Sequence, residues 1–183
     1  MKPILHFTSA TDADIPMLRS LADTIWHVCY PGIITNAQID YMLGRMFSAE
    51  VIRRELVAGV RWEITHLDGE PIGFLSCTHD ATQQLLKLNK LYLLPAHHGC
   101  GYGRAMLDHV KVLAAELHAK RIRLTVNKAN ARALRAYERA SFRSIEAIVT
   151  DIGGGFVMDD FVMECGIEPG RAAPRRRLDQ TEV

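Results

Sequence analysis

The sequence predicts a mixed α/β fold, and three observations carry that expectation. Strand-like and helix-like stretches are interleaved along most of the chain. A glycine-spaced turn, His98 to Arg104, joins an apolar strand (Leu88 to Leu94) to an amphipathic helix. The 183 residues, 48% of them hydrophobic, suffice for one substantial core. Residues 1–167 therefore read as a single domain, and residues 168–183 as an Arg/Pro-rich, loosely ordered tail.

The elements follow in order. Leu5 and Phe7 alternate with polar neighbours as a first strand. Thr11, Asp12 and Asp14 offer caps for a helix whose apolar face is Leu18, Leu21, Ile25 and Cys29, and Pro31 and Gly32 end it. Thr35 and Gln38 form a capping-box pair for a second helix through Ile39, Met42, Leu43 and Met46, and Ser48 caps a short third helix to about Ala58. Strand alternation begins at Arg61, turns at Asp68 and Gly69, and returns over Pro71 to Thr78. A polar loop, His79 to Gln84, leads to the strand Leu85 to Leu94, which Pro95 terminates. After the glycine turn come a helix with Met106, Val110, Leu113 and Leu117 on one face, a strand (Ile122 to Val126), a helix (Asn130 to Ala140), and strands around Ile145 to Thr150 and Phe156 to Met163. Gly153, Gly154 and Gly155 read as the hairpin tip between the last two, since no Gly-x-Ser-x-Gly nucleophile turn is present to use them as an oxyanion element.

Composition excludes several classes. A formal charge of +1, from 22 basic and 21 acidic residues, gives no field to gather nucleic acid or an anionic membrane. No charged-then-apolar leader or membrane-length apolar run is visible, so the expected location is cytoplasmic. Cys29, Cys77, Cys100 and Cys165 lack any C-x-x-C pairing and read as free thiols. His97, His98 and His109 lack the i, i+4 spacing and acidic ligand of a metal site, so no metal is expected.

The turn carries the chemistry. Glycines at 99, 101 and 103 let a ligand approach the backbone, and the first turn of the following helix presents unpaired N–H groups bearing partial positive charge. A pyrophosphate suits such a cradle. No Lys-Ser or Lys-Thr pair follows, which excludes a triphosphate loop, and a dinucleotide fingerprint fails in register. Downstream, a second constellation sets Asn130 at a helix start and Tyr137 two turns along the same side, with Ala133, Glu138, Arg139, Ser141 and Phe142 around them.

Together with Leu91, Tyr92, Leu93 and Pro95, these two blocks resemble the GNAT superfamily of acetyl-coenzyme-A-dependent N-acetyltransferases. The resemblance in element order runs from about Ile4 to Cys165 and is most specific from Leu88 to Phe142. It implies a mostly antiparallel sheet, flanked by helices and splayed between two central strands, Leu88 to Leu94 and Ile122 to Val126. The pantetheine arm of coenzyme A would pair with backbone near Leu91 and Leu93, like an added strand. The diphosphate would sit on His98, Gly99, Cys100, Gly101, Tyr102, Gly103 and Arg104, and Asn130 would bind the pantetheine. Two departures stand out: His98 replaces the family's Arg or Gln, and Ser141 replaces a glycine. An imidazole at 98 would make cofactor affinity rise as it protonates. If position 141 needs a left-handed backbone, serine costs roughly 1 kcal/mol there.

The implied activity is transfer of an acetyl group from acetyl-CoA, as cosubstrate, to a primary amine of a small molecule or a protein, by direct attack in a ternary complex. An alkyl ammonium with a pKa of ~10.4 is only about one part in a thousand neutral at pH 7, so its proton must be removed. A backbone N–H at Leu93 would hold the tetrahedral oxyanion, and Tyr137 would protonate the departing thiolate. The strand before the turn carries Lys87, Asn89 and Lys90 but no carboxylate, which leaves Glu63, Asp80, Asp159 and Asp160 as candidate bases, or no dedicated base. Trp26, Tyr30 and Tyr41 are the aromatic candidates for the acceptor pocket, with core packing as the competing role for Trp26 and Tyr30. The segments around Trp26 to Met42 and Gly155 to Met163 resemble, in outline, bacterial acetyltransferases acting on polyamines. The alternative function is a non-catalytic acyl-CoA sensor on the same fold; a nucleotide-phosphate binder of another fold is a third. Homodimers are what the family resemblance implies for assembly.

Overall fold

A computed structural model describes residues 5–167; the tail expected over 168–183 lies outside the described residues, as do Met1 to Ile4. The order is β1 (Leu5–Ser9), α1 (Ile15–Cys29), α2 (Asn36–Phe47), α3 (Ala49–Val57), β2 (Arg61–Leu67), β3 (Glu70–Asp80), β4 (Leu85–Leu93), α4 (Tyr102–Glu116), β5 (Arg121–Asn127), α5 (Ala131–Arg139), β6 (Arg143–Gly153) and β7 (Phe156–Gly166). The strands form one sheet in the order β1-β2-β3-β4-β5-β7-β6. All neighbours are antiparallel except β4 and β5.

Local chemistry sets the element ends. The Asp14 carboxylate accepts from Thr11 N (2.8 Å) and Thr11 Oγ1 (2.7 Å) ahead of α1. Thr35 caps α2 by accepting from Gln38 N, and Ser48 caps α3 by accepting from Val51 N. The expected Thr35–Gln38 capping box is only half made. Gln38 Nε2 donates instead to Val157 O (2.8 Å), which ties α2 to β7. β3 continues through His79 and Asp80, residues expected in a loop, because they pair with the apolar Leu86 and Leu85 of β4.

Each face of the sheet carries a helical layer. One core lies under α4 and includes Leu75, Leu86, Leu88, Leu107, Val110, Leu113, Ile122, Leu124, Val126, Phe142 and Met163. The other lies under α1, α2 and α3 and includes Leu18, Ile25, Trp26, Ile39, Phe47, Trp62, Ile64 and Phe74. Burial of this kind, at about 25 cal/mol per Å² of apolar surface, holds both layers on the sheet. A register shift at Ser76/Cys77 leaves Asn89 as an extra residue on β4. That bulge reverses the strand's alternation: Leu86 and Leu88 face the α4 layer, whereas Lys90 and Tyr92 face the α1 layer. Lys90 is buried there, over the Trp62 ring (4.6 Å) and bonded to Glu55 (3.0 Å).

Candidate active site

The central feature is the parting of β4 from β5. Their parallel pairing covers only Leu85, Leu86 and Lys87 against Arg121, Ile122 and Arg123. Beyond these residues β4 runs on to Leu93 and β5 to Asn127 without further pairing, so a wedge opens between them. Leu94 N–H donates to Ile72 O on β3 (2.8 Å). Because successive residues of a strand direct their N–H and C=O to opposite sides, Leu93 and Leu91 turn theirs away from β3 and into the wedge. Gly73 permits this tight β3–β4 approach: a Cβ there would lie 2.4 Å from Tyr92 O.

At the wedge mouth, Pro95 to His97 form a single 3₁₀ turn and the chain enters α4. Gly99 and Gly101 adopt φ of +79° and +86°, conformations that suit glycine, and Gly101 is the N-cap. His98 N–H is taken by Pro95 O. Those of Gly99, Cys100, Gly101, Tyr102, Gly103 and Arg104 have no protein acceptor among the described residues. They lie together at the positive end of the α4 dipole, an arrangement whose free donors suit an anion.

The side chains at the cradle are more committed than the sequence suggested. His98 Nε2 lies 2.9 Å from Leu93 O, and Nδ1 faces Arg132 Nη1. With the guanidinium donating to Nδ1, Nε2–H donates to Leu93 O. Arg104 is bonded to Asp108 (2.9 Å) and to Arg139 O (2.7 Å), and so braces α4 against α5. Arg132, which sequence reading missed, brings a fixed positive charge to the position where the family's own arginine is replaced by His98. It also interacts with Cys29 at the end of α1. Nothing in the local sequence links residues 34 positions apart.

Asn130 caps α5, its Oδ1 accepting from Ala133 N (3.1 Å), which leaves the amide NH₂ to donate. The other end of α5 closes as a Schellman motif: Ser141 N–H donates to Glu138 O and Phe142 N–H to Tyr137 O. Ser141 has φ +71°, the left-handed conformation for which glycine is the usual residue. The motif packs the Phe142 ring 5.8 Å from that of Tyr137. Burial, and then the nearby Tyr30, push the Tyr137 phenol pKa far upward, so it stays protonated.

Tyr30 and Tyr92 adjoin one another from the α1 side, within electrostatic reach of Tyr137. Burial lifts Tyr30 to about 12. Trp26 is fully buried and stacks on Tyr30 at 4.3 Å, a core position that forms the back of this cluster. Tyr41 lies apart from it: its hydroxyl donates to Ile152 O (2.7 Å), and its ring fills the space under Gly153 and Gly154. Tyr92 lies in the Leu91-to-Pro95 motif, and the bulge decides its face.

The four candidate carboxylates separate cleanly. Glu63 is buried on the α4 face, bonded to Arg61 (2.6 Å) and His109 (2.5 Å), with Phe7 stacked on His109 at 3.8 Å. Burial would raise its pKa, but those two partners hold it below the usual value. Asp80 accepts from Gln83 N in an exposed turn. Asp159 pairs with Lys128. Asp160 is 8% exposed, and its Oδ1 has no hydrogen-bond partner.

The profile of the acetyltransferase (GNAT) family matches residues 25–142, and the chain belongs to that family. Its relatives include an uncharacterized N-acetyltransferase of Mycobacterium tuberculosis, 35% identical over 96 residues, which make up 52% of this chain and 60% of that protein. Streptothricin acetyltransferase of Streptomyces lavendulae is 35% identical over 75 residues, 41% of this chain and 40% of its own length. The chain thus spans less than two thirds of either relative. Among solved structures, PaiA N-acetyltransferase of Thermoplasma acidophilum in complex with coenzyme A is similar at TM-score 0.73 and 21% identity, over 89% of this chain and 99% of that one. Spermidine N-acetyltransferase of Vibrio cholerae, in complex with coenzyme A and spermine, is similar at TM-score 0.67 and 16% identity, over 89% and 95%. Both share the fold. No helix of the described residues is long and apolar enough to cross a membrane.

Proposed function

We propose that this chain transfers the acetyl group of acetyl-CoA to a primary amine by direct attack in a ternary complex. The observation that carries this reading is the juxtaposition of open main chain at Leu91 and the free N–H of Leu93 with the unpaired amides of Gly99 to Arg104. One extended ligand bearing an amide-rich arm and a diphosphate satisfies both sets. The arm pairs with Leu91 and Leu93 as an added strand, helped by the Asn130 amide, and the diphosphate rests on the cradle. In this reading the coenzyme A bound in the Thermoplasma acidophilum structure is a guide to the cosubstrate.

The thioester then lies at the wedge, beside Leu93 N–H and beneath Tyr137. The amine attacks the carbonyl carbon, and Leu93 N–H stabilises the resulting oxyanion. Collapse breaks the C–S bond. Tyr137, half-buried and kept protonated by desolvation, donates its proton to the leaving thiolate and regains one as the attacking nitrogen loses its second. The acceptor amine belongs to a small molecule, in keeping with the relatives named for streptothricin and spermidine. We place the reaction in the cytoplasm, where Cys29, Cys77, Cys100 and Cys165 stay reduced.

The test is Tyr137→Phe. Coenzyme A affinity by calorimetry should be retained while thiol release with an amine acceptor falls by about 10²-fold or more. Wild-type protein that binds coenzyme A but never releases thiol, whatever the amine, would instead identify a sensor.

A further inference from the structure

A base for the amine proton is absent from β4, and only one carboxylate in the described residues is buried without a partner. We infer that Asp160 is the seat of the acceptor's ammonium group and takes its proton, and that the acceptor is a small primary amine. This inference rests on the acyl-transfer reading above.

The placement follows from the sheet. Asp160 pairs across β7 and β5 with Asn127, the last residue of β5 at the open end of the wedge. Along β7, Phe161, Met163 and Cys165 face the α4 layer, while Met158 packs into the α1 layer. By alternation Asp160 shares the face of Met158, which is also the face from which Tyr30 and Tyr92 approach. It is 8% exposed with Oδ1 unbonded, an arrangement that costs stability unless a cationic ligand completes it. A cleft of about 380 Å³ opens at its strand neighbour Asp159 and its cross-strand partner Asn127, lined also by Ile33, Thr35, Gln38 and Lys128. Its size fits the body of a small amine and not a folded protein surface.

The titratable and charged groups around Asp160 are Asp159 on its own strand, Lys128 after β5 and Tyr30 at the end of α1. Burial, reinforced by Asp159 and opposed by Lys128, pushes its pKa up to about 6. It is therefore ionised at neutral pH yet basic enough to accept a proton. The step balances: R–NH₃⁺ and the Asp160 carboxylate give R–NH₂ and the neutral carboxylic acid. R–NH₂ forms the C–N bond, the C–S bond breaks, and the second nitrogen proton replaces the one that Tyr137 gives to sulfur. Asp160 returns its proton to solvent, so each turnover releases one proton overall.

The experiment measures acetylation of n-hexylamine, benzylamine and 1,5-diaminopentane against pH, for the full chain and for Asp160→Asn and Asp159→Asn. Wild-type kcat/KM is expected to rise to a plateau with an acid limb near pH 6, because the ammonium form is the one that binds. Asp160→Asn should bind coenzyme A as wild type does and lose about 10²-fold or more in kcat/KM. Its remaining rate should climb with pH toward the amine's own pKa of about 10, with no plateau. Asp159→Asn should keep the plateau but move the acid limb to lower pH, since it removes a neighbouring negative charge and frees Lys128. An Asp160→Asn profile that retains the limb overturns the inference, as does wild-type turnover of none of the three amines. Loss of coenzyme A binding in the wild type would instead overturn the acyl-transfer reading itself.

Discussion

Gly73→Ala puts the geometry of the wedge under direct strain. A methyl group at Gly73 would sit 2.4 Å from Tyr92 O, 3.3 Å from Tyr92 C and 3.2 Å from Leu93 Cα, all main-chain atoms that no rotamer change can move. To restore even the tightest observed contact of 3.0 Å, β4 must shift by about 0.6 Å or β3 must bend away. Overpacking of this kind costs about 1–3 kcal/mol. At about 2–4 °C per kcal/mol for a chain of this size, Tm should fall by about 2–12 °C. The shift is centred on Tyr92 and Leu93, beside the backbone groups assigned to the pantetheine arm. Misaligning one main-chain hydrogen bond, with a net worth of about 0.5–1.5 kcal/mol, weakens coenzyme A by about 2- to 10-fold. Differential scanning calorimetry reads the first effect and isothermal titration the second. A variant with wild-type Tm and wild-type Kd would refute the claim that this contact sets the position of β4.

Two further perturbations act on the same frame. Ser141→Gly relieves a left-handed serine worth about 1–2 kcal/mol of strain, offset by about 0.4–1 kcal/mol of added unfolded-state freedom. Net stabilisation of about 0.5–1 kcal/mol should raise Tm by about 1–4 °C without changing coenzyme A affinity; a lower Tm would contradict the assigned strain. Gly101→Glu places a side chain at φ +86° and a negative charge at the cradle, so coenzyme A binding should disappear in calorimetry while the circular dichroism spectrum is kept. Undiminished binding would move the diphosphate elsewhere.

Much of this architecture is legible in the sequence because its determinants are local. Turn glycines, the caps Thr35 and Ser48, and the 3.6-residue period of Met106, Val110 and Leu113 each need only a few neighbouring residues, and these fall where they were expected. The left-handed backbone at Ser141 was foreseeable for the same reason: a Schellman end leaves its mark within a few positions. The wedge itself came from family resemblance and not from pattern.

Contacts that depend on strand order or on parity were not readable. β7 lies between β5 and β6, which brings Asp160 beside Asn127, and no local signal encodes that insertion. The Asn89 bulge flips the alternation of β4, so a period-2 reading cannot tell that Tyr92 faces Tyr30 while Leu88 faces α4. Glu63 looked as available as Asp160. Only the packing of α4 shows that His109 and Arg61 already occupy it. Gln38 fits a capping box by spacing, but its amide finds a buried carbonyl on β7 instead.

The central claim is that free main-chain amides on β4 and at the tip of α4 grip one acyl carrier. Residue-resolved amide hydrogen exchange with and without coenzyme A tests it most directly. Protection should rise at Leu91, Leu93 and Gly99 to Arg104 together, with little change on β1 or β6. Saturating coenzyme A that leaves those amides exchanging at their free rates would contradict the account.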